Sequence, residues 1–431
     1  MSRAEVKLDA SKQLYLPMFA LIPLEVGGAF QGKLGGALGD IIMSQVDAFR
    51  QIADVLRSAQ RAAIEVENAP ERRKRLRSFS AQEVAALLGV SQKDLRAGSR
   101  AGQAQTRMTF AEVQALRAAL QGKVVGVAPV PHRHFGEELA TIVFTNFKGG
   151  SAKTTSSVHF AQYLAMAGYR VLLVDLDSQG SSTAQFGLDP SGEVGRNNSF
   201  TAWTAACDAG TEIYPASLCQ PTYWPAIDLV PAGAILSEAE ESLSRRAASG
   251  KAEPTLYFEE LRKFLATLSD CYDVAVIDTR PDVNMLMTSA LHAATGVVVP
   301  TRATMTDLAS TGEFFAHLAG YVGDFNAAFG QGLDFNFTRI LVAAYDPTDR
   351  SQEALVALLR ERFRDAVLPG EFLHSRVMGT AGFGKETLYE YEPSTDRTAY
   401  NRVLTSANAV NRAIEREILR AWGRLPAEIS L

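Results

Sequence analysis

The residues of this chain that are best suited to chemistry lie in one short stretch, Phe144–Thr155, which reads FTNFKGGSAKTT. Gly149 and Gly150 would let the backbone approach a polyphosphate closely, and the amides that follow would point inward at the positive end of a helix. Lys153 would add a mobile positive charge for the outer phosphates, and Thr154 offers a hydroxyl to Mg²⁺. A strand, a glycine turn, Lys-Thr and a helix in this order predict a phosphate-binding loop.

Two further stretches place carboxylates where they could meet such a loop. Asp175 and Asp177 stand at the end of an apolar run that begins at Arg170, and Asp278 ends the apolar run of residues 272–278. Ligands of α/β sheets lie at the carboxyl ends of the strands, so these side chains are expected near the phosphates. Four apolar residues followed by Asp278 form the Walker B pattern, which holds Mg²⁺ through water.

The elements that would position these residues alternate along the chain. Apolar runs predict strands at residues 140–144, 170–175, 227–230, 272–278, 296–300 and 338–344, and helical patterns stand among them at 154–167, 255–268 and 399–422. Alternation of this kind requires a parallel sheet with helices on both faces. The predicted fold class is therefore α/β, with a doubly wound, mostly parallel sheet, and its domain is predicted to span residues 139–431.

A second motif, in residues 67–121, follows an Arg/Lys-rich run. Ser80 and Glu83 have the spacing of a capping box that opens a helix, a glycine turn follows, and Ser91 caps the next helix. A third helix at 109–120 would complete a small α-helical helix-turn-helix domain, which resembles the MerR-like winged form. The alternative is a helical hairpin with a solvated basic face. The outward residues that would meet base edges or phosphates are Gln92, Lys93 and Arg96.

Charge and composition narrow the class of partner. The formal net charge is −5, yet residues 50–107 hold twelve Lys/Arg against six Asp/Glu, which indicates an anionic partner for that segment. The three cysteines include no close pair, so neither a disulfide framework nor a metal site is expected from them. No apolar run approaches the ~18 residues of a membrane span, and we expect a cytoplasmic protein without a membrane partner.

The remaining segments are less informative. Residues 1–40 carry no pattern that assigns them a role. Residues 41–66 follow alternating three- and four-residue apolar steps, which predict a helix that packs within the chain or dimerises with a second copy. Residues 122–138, with two prolines and two histidines, are predicted to be a linker, and its histidines are expected to be loop residues rather than metal ligands.

The phosphate loop departs from the ordinary G-x-x-x-x-G-K-T pattern, since Phe147 stands at the first glycine and Lys148 precedes the glycine pair. Lys148-Gly-Gly-x-x-Lys153-Thr resembles the deviant Walker A motif of the ParA/MinD-superfamily ATPases, in which the extra lysine reaches across a dimer. The domain order and the stretch Phe383–Tyr391 are similar to those of the RepA (ParA-type) partition proteins of repABC plasmids. The resemblance covers about residues 41–422.

This resemblance implies ATP and Mg²⁺ as cofactors and roles for single residues. The implied catalytic residues are Lys148, Lys153 and Asp177, the last of them acting on the attacking water. The implied Mg²⁺ ligands are Thr154, Asp175 and Asp278. The implied ATP contacts are Gly149, Gly150, Ser151, Ala152, Lys153, Thr154 and Thr155, with Asp346 and Pro347 beside the base. The surface cations that would bind nonspecific DNA are Arg376, Lys385, Arg397 and Arg402.

The function implied by the resemblance is DNA partition. ATP would close a homodimer with two nucleotides between the protomers, and this dimer would hold nonspecific DNA on the nucleoid. A ParB-like centromere-binding protein would stimulate an otherwise slow hydrolysis and release the DNA. The amino-terminal domain would bind an operator and repress the partition operon.

Three departures from the family pattern bear on turnover. Ala152 replaces a common glycine and its methyl group restricts φ, Ser178 replaces the proline of D-L-D-P-Q, and Arg280 could sense phosphate or pair with an acid. Ala152 and Ser178 favour the alternative function, which is a nucleotide-regulated transcriptional repressor with negligible ATPase activity. A MinD-like membrane positioner is disfavoured, because the closing residues 422–431 contain a proline and an acid.

Overall fold

The computed structural model describes residues 50, 74–98, 107–121, 123–124, 131–249, 256–330, 333–375, 386–392 and 396–426. The described chain from residue 74 onward belongs to one compact unit. The segment 1–40 and, apart from residue 50, the segment 41–66 lie outside the described residues, as do Arg376 and Lys385. The roles expected of them stay predictions.

A small helical unit comes first. Its elements are β1 (Phe79–Ser80), α1 (Ala81–Leu88), α2 (Gln92–Gly98), β2 (Arg107–Met108) and α3 (Phe110–Leu120). The Ser80 hydroxyl accepts the amide of Glu83, and the Glu83 carboxylate accepts the amide of Ser80 at 2.8 Å, which forms the predicted capping box. Gly89, at φ 68°, ends α1, and β1 pairs antiparallel with β2. Three helices thus occur close to the positions expected from the sequence.

The sheet of the α/β fold carries eight strands in the described part of the chain. They are β3 (Ala140–Phe144), β4 (Val171–Leu176), β5 (Gln220–Pro221), β6 (Ile227–Val230), β7 (Val274–Thr279), β8 (Gly296–Arg302), β9 (Phe337–Tyr345) and β10 (Phe372–Leu373). Their order is β10-β9-β8-β3-β7-β4-β6-β5, and each pair is parallel except the edge pair β5–β6. Because the chain builds outward from β3 in both directions, the sheet is doubly wound.

Helices cover both faces of this sheet. They are α4 (Lys153–Ala167), α5 (Ser181–Gln185), α6 (Phe200–Ala209), α7 (Leu236–Ser249), α8 (Glu260–Thr267), α9 (Met285–Ala293), α10 (Met305–Phe329), α11 (Arg350–Phe363) and α12 (Arg397–Ala421). Ile142 and Phe144 of β3 pack with α4 and α12, whereas Val143 packs with α7 to α10. Apolar residues on both faces of a strand are what a parallel sheet between two helical layers requires, and the predicted fold class is confirmed.

The amino-terminal unit packs directly on the sheet domain. Phe110 of α3 meets Trp224 edge-on, with ring centroids 5.6 Å apart. Arg117 is 2% exposed, and its guanidinium donates to the carbonyl of Met166 near the end of α4. Apolar residues of α1 and α3 belong to the same buried cluster as α4 and α12. The unit and the sheet domain therefore share one core.

The described part of the predicted linker is also docked. His132 Nδ1 lies 2.8 Å from the buried carboxylate of Asp273, whose pKa is held at about 2 despite burial because Arg170, His132 and backbone amides bind it. Arg424, after α12, donates to the carbonyl of His132 at 2.7 Å. The ring of His132 thus contacts an acid, and its backbone carbonyl accepts from a guanidinium. The described residues contain no group of three or more His, Cys, Asp or Glu that could hold one.

Glu390 is the polar centre of the junction between the two parts. Its donors are Lys74 Nζ (3.2 Å), Gln162 Nε2 (2.8 Å), Trp224 Nε1 (2.9 Å), the Thr387 amide (3.0 Å) and the Tyr223 hydroxyl. Gln162 lies on α4, and Lys74 precedes β1. One buried carboxylate thus connects the helix that follows the phosphate loop with the amino-terminal unit.

Replacing Glu390 by alanine should lower the free energy of unfolding by about 3 kcal/mol, because an ammonium and four other donors would stay buried without their acceptor. Denaturant unfolding measures this loss. The matched control is Glu392→Ala, in the same segment, since the Glu392 carboxylate is half-exposed and its pairing with Arg107 at 2.8 Å is screened by water. Equal losses in the two variants would show that Glu390 is not the centre of this junction.

Candidate functional site

The turn between β3 and α4 has the geometry of an anion cradle. Gly150 has φ 74° and Ala152 has φ 72°, so left-handed residues stand on both sides of Ser151. Ala152 is the N-cap residue of α4 and makes no side-chain hydrogen bond to the helix. Uncapped amides at the positive end of a 15-residue helix favour a phosphate group. The left-handed conformation costs a residue other than glycine about 1 kcal/mol, so the methyl group of Ala152 does strain the turn.

Lys153, the first residue of α4, is 6% exposed. Its ammonium donates to the carbonyl of Lys148 at 3.0 Å, which ties the two lysines of the motif together. Burial lowers the pKa of Lys153 to about 8, and the carboxylates of Asp278 and Asp177 oppose that shift. The side chain is therefore mostly protonated at neutral pH and lies in the field of both carboxylates.

The register of the sheet brings the predicted carboxylates together. Asp175 on β4 is the paired neighbour of Asp278 on β7, and Asp278 is also paired with Phe144 at the end of β3. Asp175 accepts the amide and the hydroxyl of Thr183, at 2.9 and 2.8 Å. Asp278 accepts the hydroxyl of Ser182 at 2.6 Å. Both carboxylates are fully buried next to the start of α4.

Two buried carboxylates side by side favour a bound cation. Burial raises the pKa of both carboxyls, with a further rise from the charge of Asp278 at Asp175 and from Asp177 at Asp278. The Oδ1 atom of Asp278 is buried and lacks a hydrogen-bond partner in the described structure. The Thr154 side chain lowers the pKa of the same carboxyl, so its hydroxyl oxygen lies near Asp278. This set of oxygen ligands fits Mg²⁺, which takes one or two carboxylates together with phosphate and water.

The loop between β4 and α5 carries Asp177. Its amide donates to Asp175 Oδ1 at 3.0 Å, and its own carboxylate accepts the amide of Gln179 at 2.9 Å. Gly180 has φ 63°, and a Cβ atom there would lie 2.6 Å from a neighbouring carbonyl oxygen. Hydrogen bonds and a tight glycine turn thus shape the loop, with Ser178 in the place of the usual proline.

Three residues of the site were not predicted from the sequence: Asn146, Ser182 and Thr183. The two hydroxyl residues read as ordinary first residues of a helix, and only the register of β4 and β7 shows that they bind carboxylates. Asn146 did carry a signal, because a polar residue stands between an apolar strand and Lys148. It is 1% exposed and donates to the carbonyl of Pro300 at 2.8 Å.

Comparison with known proteins decides the family. A model of the AAA domain matches residues 139–326. A relative from Rhizobium rhizogenes with the name replication protein A is 34% identical over 366 residues, which are 82% of this chain and 90% of that protein. SopA of Escherichia coli (strain K12) is 30% identical over 312 residues, 70% of this chain and 76% of SopA. This chain belongs to the ParA/MinD superfamily.

The comparison confirms the resemblance to the RepA (ParA-type) proteins. A solved structure of a partition protein superposes with a TM-score of 0.58 at 17% identity and covers 86% of this chain and 99% of that one, which supports the fold.

No helix among the described residues is long and apolar enough to cross a membrane.

The other residues expected of a ParA/MinD protein lie on loops around the same edge of the sheet. Arg280, after β7, lies 3.7 Å from the carboxylate of Asp282, so the acid is its partner in this structure. Asp346 and Pro347 form the turn between β9 and α11, where the Asp346 carboxylate accepts the amide and hydroxyl of Thr348. Adenine contact by this turn stays a prediction.

Among the described residues, those predicted to bind DNA lie on two helices, α2 and α12. Gln92 and Lys93 are exposed at the start of α2, and Arg96 lies on the same helix. Arg397 and Arg402 are exposed near the start of α12. A larger basic surface, which we call the arginine groove, lies between the end of α11 and the later turns of α12 and encloses about 720 Å³. Its cations are Arg339, Arg360, Arg364, Arg412, Arg416 and Arg420, against the acids Asp365 and Glu417.

Replacing Asp278 by asparagine should raise the thermal stability of the metal-free protein near neutral pH, because it removes one of two buried like charges and keeps an oxygen for Ser182. The carboxyl pKa is raised in the folded state, so the folded protein takes up the proton as pH falls. The advantage of asparagine should therefore stay constant above about pH 6, the raised pKa of Asp278, and narrow as pH falls from there toward about 4, the ordinary pKa of an aspartate. Thermal unfolding in a chelator measures both effects.

The matched control is Asp282→Asn, which changes an exposed carboxylate in the same region. It should not alter stability in a pH-dependent way. A gain for Asp278→Asn that is absent, or constant across this pH range, would contradict the assignment of Asp278 as a destabilising buried charge.

Proposed function

We propose that this protein is an ATP-dependent DNA partition (segregation) ATPase that acts as an ATP-sandwich homodimer. One observation carries the proposal: a single loop holds two lysines in different environments, directly above a pair of buried carboxylates. Lys153 is buried within its own protomer, whereas Lys148 is only half-buried at the loop surface. Membership of the ParA/MinD superfamily supports the same reading.

The residues of the site would divide the work of phosphoryl transfer. The amides of residues 149–155 and the Lys153 ammonium would bind the phosphates of ATP. Thr154, Asp175 and Asp278 would hold Mg²⁺, which neutralises charge on the phosphates. Asp177 would orient the attacking water, and Lys148 would reach the nucleotide of the neighbouring protomer. Positioning and electrostatics supply most of the catalysis in reactions of this class.

The DNA functions belong to two surfaces. The amino-terminal unit, through Gln92, Lys93 and Arg96, would bind an operator and repress the partition operon. The ATP-bound dimer would bind nonspecific DNA on the nucleoid, and a ParB-like centromere-binding protein would stimulate hydrolysis and release. We assign the nonspecific contact chiefly to the arginine groove, because its six guanidinium groups outnumber its acids and phosphate contacts dominate nonspecific binding. Arg339 and Arg420 pair with Glu417. Arg360 pairs with Glu371, and positive charge remains in excess.

The decisive experiment separates the two lysines. Lys153→Ala should lower ATP affinity at least about tenfold, because its buried ammonium is the phosphate ligand. Lys148→Ala should keep ATP affinity, weaken ATP-dependent dimerisation about tenfold and lose stimulated hydrolysis. A fluorescent ATP analogue, sedimentation and phosphate release measure the three quantities, and Lys123→Ala is the control at an exposed lysine outside the loop.

Unchanged ATP affinity and turnover in Lys153→Ala would overturn the assignment. Nucleotide binding with no phosphate release, even with DNA and the cognate partner present, would favour the alternative of a nucleotide-regulated transcriptional repressor. The strained left-handed conformation of Ala152 is the feature of the site that favours measuring phosphate release under these conditions.

The arginine groove yields its own prediction. The double variant Arg412→Ala/Arg416→Ala should weaken the binding of ATP-bound protein to random duplex DNA and lower the slope of log affinity against log salt by about 2, one for each lost phosphate contact. Fluorescence anisotropy over a salt series measures both. The double variant Arg397→Ala/Arg402→Ala tests the positions predicted from the sequence, and a larger effect there would relocate the DNA surface to the start of α12.

A further inference from the structure

Asn146 has a hydrogen-bond environment that determines how its amide is oriented. Its Nδ2 group donates to the carbonyl of Pro300 at 2.8 Å and to the hydroxyl of Thr311 at 3.1 Å. Its Oδ1 atom accepts the amide of Lys148 at 3.3 Å. The Pro300 carbonyl can only accept and the Lys148 amide can only donate. The reverse orientation of the Asn146 side chain would therefore break the contacts with Pro300 and Lys148.

The partners of Asn146 lie on two elements outside the phosphate loop. Pro300 is in β8 and Thr311 is in α10. The Thr311 hydroxyl donates to the carbonyl of Asp307 at 2.8 Å and lies 2.8 Å from the hydroxyl of Thr301. All these groups are buried, so the amide of Lys148 is anchored to the rigid interior on the β8 side of the loop.

The backbone of Lys148 is thereby held at both of its polar groups. Asn146 accepts its amide, and the Lys153 ammonium donates to its carbonyl at 3.0 Å. Fixing the backbone of one residue costs about 1–2 kcal/mol of conformational entropy. For Lys148 this cost is met when the chain folds, so it does not weaken dimerisation. The direction in which the Lys148 side chain leaves the loop is set by the same two contacts.

We propose that Asn146 is a positioning residue for Lys148, which orients the backbone of Lys148 so that its side chain leaves the loop toward the nucleotide of the neighbouring protomer. This inference rests on the proposed ATP-sandwich dimer. Asn146 itself touches neither nucleotide in this scheme. Its effect on dimerisation passes through Lys148, and its removal has no consequence where that lysine is absent.

A double-mutant cycle tests this dependence. Asn146→Ala and Lys148→Ala should each weaken ATP-dependent dimerisation about tenfold, measured by sedimentation with ATP and Mg²⁺, while affinity for a fluorescent ATP analogue changes less than about threefold. The double variant should dimerise no more weakly than Lys148→Ala alone. A loss of about a hundredfold in the double variant would show that Asn146 acts independently of Lys148, and an unaffected Asn146→Ala would overturn the inference as well.

A second variant covers the case in which Asn146→Ala does not fold. Thr311→Val removes one acceptor of the Asn146 amide from a position on α10, and Thr311→Ser keeps the hydroxyl as its control. Thr311→Val should weaken dimerisation a few-fold in the parent protein and have no effect in the Lys148→Ala background. An effect in both backgrounds would overturn the inference. If Lys148→Ala dimerised as well as the parent protein, the proposed function itself would be overturned. Failure of the inference and failure of the proposed function can therefore be distinguished.

Discussion

The structure depends on a charge balance that is kept away from water at the carboxyl ends of β3, β4 and β7. The carboxylates of Asp278 and Asp177 act on the ammonium of Lys153, and the buried Asp175 is the paired neighbour of Asp278, so negative charge is in excess. Removing an ion from water costs several kcal/mol, and one ion pair near a protein surface returns about 4 kcal/mol. Hydroxyls and amides donate hydrogen bonds to most oxygens of these carboxylates, but Asp278 Oδ1 has no hydrogen-bond partner. The fold thus holds a carboxylate in a state that a cation would stabilise, at a cost to its own stability.

The rest of the sheet explains why these charges can be held at all. The strands that carry them are apolar on both faces, and the polar residues begin where the strands end. The carboxylates therefore sit on rigid backbone, while the phosphate loop takes its shape from left-handed turns at Gly150 and Ala152. The strain at Ala152 adds a small further cost. Both costs concentrate at one edge of the sheet, where a triphosphate and its cation would offset them.

Much of this could be read from the sequence because it depends on local order. The apolar runs predicted the strands, and the residues that follow such runs in a parallel sheet must meet at one edge, which brought Lys153, Asp175 and Asp278 together. Other features depend on contacts between distant segments. Glu390 collects donors from residues 74, 162, 223, 224 and 387, and no local pattern marks such a carboxylate. The arginine groove likewise forms only when α11 meets α12.

The junction between the amino-terminal unit and the sheet domain has a consequence for both ligands. Its contacts resemble a domain interior, with Phe110 against Trp224, a buried Arg117 and the Glu390 carboxylate. Several of these contacts end on α4, whose first turn carries Lys153 and Thr154. Under the proposed function, a nucleotide that favoured one position of α4 would change the free energy of the junction, and an operator bound to the amino-terminal unit would act on the same contacts. Because such coupling is reciprocal, any effect of ATP on operator affinity must be matched by an equal effect of the operator on ATP affinity.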